Sequence, residues 1–131
     1  MESAPRHQAR ERALTLLYEA ELKAATPTAV LADLLMAPDD YTVTLVEVVE
    51  ARRPEIDAMI DETAIGWDLD RMAVVDRNVL RLAVAELVSC PDVPTAVILN
   101  EAVELASAYS TDDSGRFVNG VLATLAVRIR P

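Results

Sequence analysis

VVDRNVLRLAVAELV, residues Val74 to Val88, decides the fold class. Val75, Val79, Leu80, Leu82, Ala83 and Leu87 spread apolar groups over most of a helical circumference. Such a helix has almost no side left for water, so the spacing predicts the central, most buried helix of a helical protein. Pro91 and Pro94 bracket a tight loop after it. Beyond the loop, Thr95 to Tyr109 and Asp113 to Arg128 predict two more helices, the last capped by Asp112, Asp113 or Ser114.

The same periodicity runs back toward the N-terminus. Ala9, Ala13, Leu16, Leu17 and Ala20 share one face of a helix from Pro5 to Ala24, with Ser3 as its N-cap and Pro5 in its first turn. Thr26-Pro27 starts a short second helix carrying Leu31, Leu34 and Leu35, which Pro38 ends. Asp39 or Asp40 caps a third that reaches Arg52. Pro54 opens a fourth, with Ile56, Met59, Ile60 and Ala64 inward and Gly66 closing it. Trp67, Leu69 and Met72 form an apolar connector into the central helix. No segment alternates with period two for long enough to make a strand, although Val43 to Val49 is rich in β-branched residues. The expected architecture is all-α, about seven helices in one domain spanning residues 1–131.

Composition agrees. The chain has 131 residues, 52 % of them apolar, with only three isolated glycines. A chain of this length buries roughly two-thirds of its unfolded surface. Cys90 stands alone, so no internal disulfide forms and a cytoplasmic location is expected. The polar N-terminus lacks the apolar core of a signal peptide, and no apolar run reaches the ~18 residues of a membrane span.

The net charge is −10, which opposes non-specific nucleic-acid binding. The distribution matters more than the sum. Residues 1–12 hold Arg6, His7, Arg10 and Arg12 against Glu2 and Glu11, so a small basic patch sits on an acidic body. Screening over ~8 Å lets a phosphate feel that patch and not the total.

Enzyme chemistry finds little support. His7 is the one histidine and lies near the terminus, which argues against a nucleophile–histidine arrangement. One Cys and one His far apart make no zinc site. There is no Gly-rich phosphate loop. Asp39-Asp40 and Asp112-Asp113 stand where helices begin and read as caps. Glu101 and Glu104 have metal-ligand spacing but read better as a solvated or salt-bridged face. No catalytic residue, metal or cofactor is expected.

A binding constellation reads better. Arg6 and Arg10 lie four apart on one helical face, a spacing that fits successive phosphates or a solvated helix start. Arg116 and Phe117 open the last helix, where free N–H groups and the dipole favour an anion. An arginine beside an aromatic ring suits a stacked base with its phosphate, or else a core Phe next to an exposed Arg. Asn100 and Asn119 sit inside apolar runs and bond across the helix interface if buried. Gly120, costly in a helix interior by ~1 kcal/mol, is expected to mark a close approach of another helix or a ligand.

These pieces together resemble the NusB family of bacterial transcription antitermination factors. The motifs are Arg6-x-x-Ala9-Arg10-Glu11-x-Ala13 with Leu17-Tyr18, and Trp67-x-Leu69-x-Arg71-Met72. Then come Asp76-Arg77-x-x-Leu80-Arg81-Leu82-Ala83 with Glu86-Leu87, and Asp92-Val93-Pro94 with Asn100-Glu101-Ala102-x-Glu104-Leu105-Ala106. The last is Asp113-Ser114-x-Arg116-Phe117-Val118-Asn119-Gly120-Val121-Leu122.

The resemblance implies two helical halves packed across a shared core. It implies binding of the boxA segment of ribosomal RNA leader transcripts, jointly with NusE, a small-subunit ribosomal protein, on elongating RNA polymerase. It points to Arg6, Arg10, Tyr18, Tyr109, Asp113, Arg116, Phe117 and Asn119 as RNA contacts, and to Asp70 and Asp76 as NusE contacts. The thin arginine run implies weak RNA affinity without NusE. The alternative is a helical interaction protein, self-associating as a homodimer, that does not bind RNA.

Overall fold

The computed structural model describes residues 4–131. Seven α-helices and one 3-10 turn, and no strand, occur among the described residues. They are α1 (Ala4–Leu22), α2 (Pro27–Ala32), α3 (Asp40–Ala51), α4 (Arg53–Thr63), α5 (Val74–Ser89), α6 (Thr95–Tyr109) and α7 (Asp112–Ile129), with the 3-10 turn at Leu69–Arg71. Among the described residues no helix is long and apolar enough to cross a membrane.

Each boundary has a local cause. Ala24 takes a left-handed φ of 53° just past α1. The Thr26 hydroxyl accepts from the Ala29 N–H at 3.2 Å, and Pro27 fills the first position of α2. Asp39 accepts from the Tyr41 N–H at 2.8 Å and starts α3. At the last helix Thr111, not one of the residues after it, is the cap, accepting from the Ser114 N–H at 3.0 Å. Its position is β-like, which leaves Asp112 and Asp113 inside the first turn, where their charge meets the helix dipole. The expected Ser3 cap lies outside the described residues.

Two further expectations fail for physical reasons. α2 stops at Ala32, before Leu34 and Leu35, and Leu35 is fully exposed. Its helix is too short to propagate past six residues without tertiary support. α4 ends at Thr63, and Gly66 serves the turn beyond it with a φ of 85°. The Val-rich run in α3 is helical because Leu45, Val46 and Val49 face the core at helical spacing.

α1, α2 and α3 pack on one another, while α4, α6 and α7 all pack on α5. α5 also touches α1 and α3, so it runs between the two halves. Val79 to Leu87 of α5 is buried without a break, as its sequence predicts. α6 and α7 form an extensive pair, and Gly115 allows it: a Cβ there would lie 2.4 Å from Ser107 Oγ. Gly120, by contrast, is exposed with nothing near it, so the helix–helix approach belongs to Gly115.

Burying α5 from Asn78 to Leu87 brings Arg81 and Glu86 inside, and each finds a partner. Arg81 donates to Asp57 at 2.8 Å and to Glu21 at 3.2 Å. Arg77 pairs with Glu21 and donates to the carbonyl of Met72 at 2.8 Å, which fixes the 3-10 turn carrying Asp70.

Candidate nucleic-acid interface

The start of α1 lies against α6 through polar contacts. His7 Nδ1 sits 3.0 Å from Glu101 Oε2, and the Tyr109 hydroxyl donates to Glu11 at 3.1 Å. These contacts bring the N-terminal turns of α1 beside the α6–α7 corner, although almost a hundred residues separate them.

Arg6 and Arg10 share a face but not an environment. Arg6 is exposed, its guanidinium 5.0 Å above the centre of the Tyr41 ring. Arg10 is only 2 % exposed. Its Nε and Nη2 grip both oxygens of Glu86, at 2.8 and 2.6 Å, and Nη1 donates to Glu101 at 2.8 Å. The Tyr41 hydroxyl adds a 2.6 Å bond to Glu86. Burial, with Cys90 and Glu86 beside it, pushes the Tyr41 phenol far above its ordinary range, so it stays a donor. In this conformation Arg10 presents no guanidinium to a phosphate. It anchors α1 to α5 and α6, and thereby holds Arg6 and His7 in place.

The sequence held a signal for this pair. Glu86 is an acid in the middle of an otherwise apolar buried run, and a buried carboxylate demands a buried cation. Helical spacing within α1 cannot show it, because the partner is on another helix.

The His7 pKa is raised from 6.5, first by its hydrogen bond to Glu101, against the opposing effect of burial. A group whose pKa rises on folding stabilises the fold below its unfolded value and loses that effect as pH rises through the folded value. Urea denaturation is therefore expected to show wild type ahead of His7→Gln below pH 6.5, the gap closing at higher pH. A gap that widens with pH would contradict this. His7, Glu101 and Glu104 bring ligand atoms within 4.8 Å of one another, but Arg10 already occupies Glu101 and repels a cation there.

Tyr18 and Tyr109 are both about half exposed. Tyr18 lies two helical turns beyond Glu11, the residue that holds Tyr109, so the two rings flank one surface of α1. At the start of α7, Asp113 and Arg116 are exposed and form an ion pair with each other. Asn119 is exposed one turn on. Asn100 is exposed too, and both amides line an open groove of about 610 Å³ between α6 and α7 together with Arg116, Glu104 and Ser107. Neither amide is buried, so the expected interface bond has no cause to form.

Phe117 lies on the other flank of α7. Its ring meets Trp67 edge to face, centroids 6.0 Å apart, and it packs partly on the core. Trp67, Phe117, Met72, Ala73, Thr111, Asp113, Ser114 and Asp76 line a half-open cavity of about 200 Å³. Asp70 is exposed on the 3-10 turn, whereas Asp76 is only 9 % exposed. Ser114 donates to Asp76 Oδ2 at 3.1 Å, and Oδ1 accepts nothing from the described residues. Burial raises the Asp76 pKa, and the Ser114 bond only partly offsets it. Asp76 meets the surface through this cavity.

Known proteins match this chain closely. Residues 7–127 fit the NusB family model. The transcription antitermination protein NusB of Acidothermus cellulolyticus is 52 % identical, the match covering 92 % of this chain and 86 % of that protein. That of Saccharopolyspora erythraea is 51 % identical over the same shares. Among solved structures, T. maritima NusB superposes with a TM-score of 0.88 at 31 % identity, covering 100 % of this chain and 96 % of that one. A structure of the antitermination factors NusB and NusE in complex with dsRNA gives a TM-score of 0.82 at 28 % identity, covering 97 % and 99 %. The helices, their order and their length thus agree with the motifs, and the chain belongs to the NusB family.

Proposed function

We propose that this protein is a transcription antitermination factor. It binds the boxA segment of ribosomal RNA leader transcripts together with NusE, and acts in the cytoplasm on elongating RNA polymerase. The observation that carries this is the family match over residues 7–127, reinforced by likeness to a NusB solved with NusE and RNA. The chain acts as one RNA-binding helical domain without catalytic residues or cofactor.

The RNA lies from the start of α1 to the start of α7. Arg6 and Arg116 meet phosphates, and Tyr18, Tyr109 and Phe117 offer ring faces. Asp113 orients Arg116 through their ion pair, and Asn119 offers an amide to a base or ribose. Arg10 acts at one remove, by holding Arg6 in position. Asp70 belongs to the acidic surface facing NusE, with Asp57, Asp61 and Asp68 around it.

With few exposed cations in the site, affinity should depend only mildly on salt. Each phosphate neutralised on a single strand contributes about −0.7 to the slope of log K against log salt. Two arginines then predict a slope near roughly −1.4. Fluorescence anisotropy of a labelled boxA oligonucleotide, titrated between low and moderate salt, reads this directly. A slope several times steeper would place the RNA on other basic residues.

A further inference from the structure

Arg6 and Arg10 approach one ring, that of Tyr41 in the first turn of α3. The Arg6 guanidinium stands 5.0 Å from the ring centre and that of Arg10 5.9 Å. Both distances lie within the reach of a cation–π attraction. Tyr41 belongs to neither helix start on which the proposed RNA surface is built.

The ring is held from three sides. Asp39 accepts from the Tyr41 N–H at 2.8 Å and sets the backbone of this turn. The next residue, Thr42, donates from its buried hydroxyl to the carbonyl of Ala9 at 2.9 Å, which docks the start of α3 on α1 one residue from Arg10. The Tyr41 hydroxyl donates to Glu86 at 2.6 Å, so α5 holds the far end of the ring.

The two arginines stand to this ring differently. Arg10 is buried and spends its N–H groups on the carboxylates of Glu86 and Glu101. Arg6 is exposed at the start of α1. A ring face orients a guanidinium without cancelling its charge, because the ring carries no net charge of its own. An arginine oriented in this way gives up less side-chain freedom when it meets a phosphate, and such preorganisation raises affinity.

We propose that Tyr41 is a positioning residue for RNA recognition, its ring face setting Arg6 for a phosphate. The role rests on the RNA-binding reading above. Tyr41 acts through Arg6 and needs no contact with RNA of its own.

The test uses the full chain with NusE and labelled boxA RNA, and compares Tyr41→Leu with Tyr41→Phe. Both variants lack the hydroxyl on Glu86, while leucine keeps apolar bulk and has no ring face. Tyr41→Leu is expected to bind RNA about threefold more weakly than Tyr41→Phe, the value of one exposed cation–π contact. The difference should vanish in an Arg6→Ala background, because the ring then has no Arg6 to set. A purely structural tyrosine would cost the same with Arg6 or without it. Fluorinated phenylalanines placed at position 41 cover the event that Tyr41→Leu does not fold. Fluorine drains the ring face with little change of shape, so affinity should fall with each fluorine added.

Equal affinities for Tyr41→Leu and Tyr41→Phe, a difference that survives Arg6→Ala, or a flat response to fluorine overturns the positioning role and leaves the RNA-binding reading standing. RNA binding by the unaltered chain with NusE that is no tighter than binding by NusE alone overturns the functional reading, and this role with it.

Discussion

Arg10→Ala is expected to destabilise the protein by about 3–5 kcal/mol, the cost of stranding one partner of a buried ion pair. Both side chains of the Arg10–Glu86 pair are 2 % exposed. Without the guanidinium, Glu86 keeps only the Tyr41 hydroxyl in a low-dielectric site, and Glu101 loses a partner as well. Native domains are stable by only about 5–15 kcal/mol, so the loss takes a large share. Urea denaturation followed by circular dichroism measures it. Arg10→Lys should recover part of the loss, since it restores charge but not the two-pronged geometry. Arg10→Met with Glu86→Leu should recover more, because an apolar pair of similar volume removes the stranded charge. A loss below about 1 kcal/mol for Arg10→Ala would mean that the pair is solvated. RNA binding by Arg10→Ala is therefore meaningful only where the fold is shown intact.

Arg116→Glu combined with Phe117→Leu is expected to lower RNA affinity about 100-fold while leaving the helical circular dichroism unchanged. Stacking of a base on an aromatic side chain is worth about 1–3 kcal/mol. Reversing Arg116 replaces an attraction to phosphate by a repulsion and breaks the pair with Asp113. Arg116 is three-quarters exposed, so its change has little to disturb in the fold. Phe117 packs partly on the core, and leucine keeps that packing while removing the ring. RNA binding unchanged in this variant would place the RNA elsewhere.

Most of the fold was legible because its signals are local. Pro27 and Asp39 mark helix starts by their own chemistry, and the unbroken burial of Asn78 to Leu87 in α5 follows from its composition. What failed depended on neighbours. α2 had too few residues to hold Leu34 and Leu35 in a helix. The close approach fell on Gly115 because Ser107 lies across from it, and nothing in α7 alone separates it from Gly120.

The site divided along the same line. Arg116, Asn119, Tyr109 and Tyr18 stand exposed on helices that the sequence located. The spacing of Arg10 from Arg6 fitted successive phosphates or a solvated helix start, whereas Glu86 and Glu101 meet Arg10 only in the folded chain. Asp76, a NusE contact by resemblance, stands at the wall of a cavity because the buried face of α5 begins in its first turn.

One measurement bears most directly on joint recognition of RNA and NusE. Labelled boxA RNA and a scrambled RNA of equal length are titrated with the protein, with and without purified NusE, at fixed salt. The expected result is weak, poorly selective binding by the chain alone and tighter, boxA-selective binding once NusE is present. Binding of boxA no tighter with NusE than without it, or no tighter than that of the scrambled RNA, would contradict it.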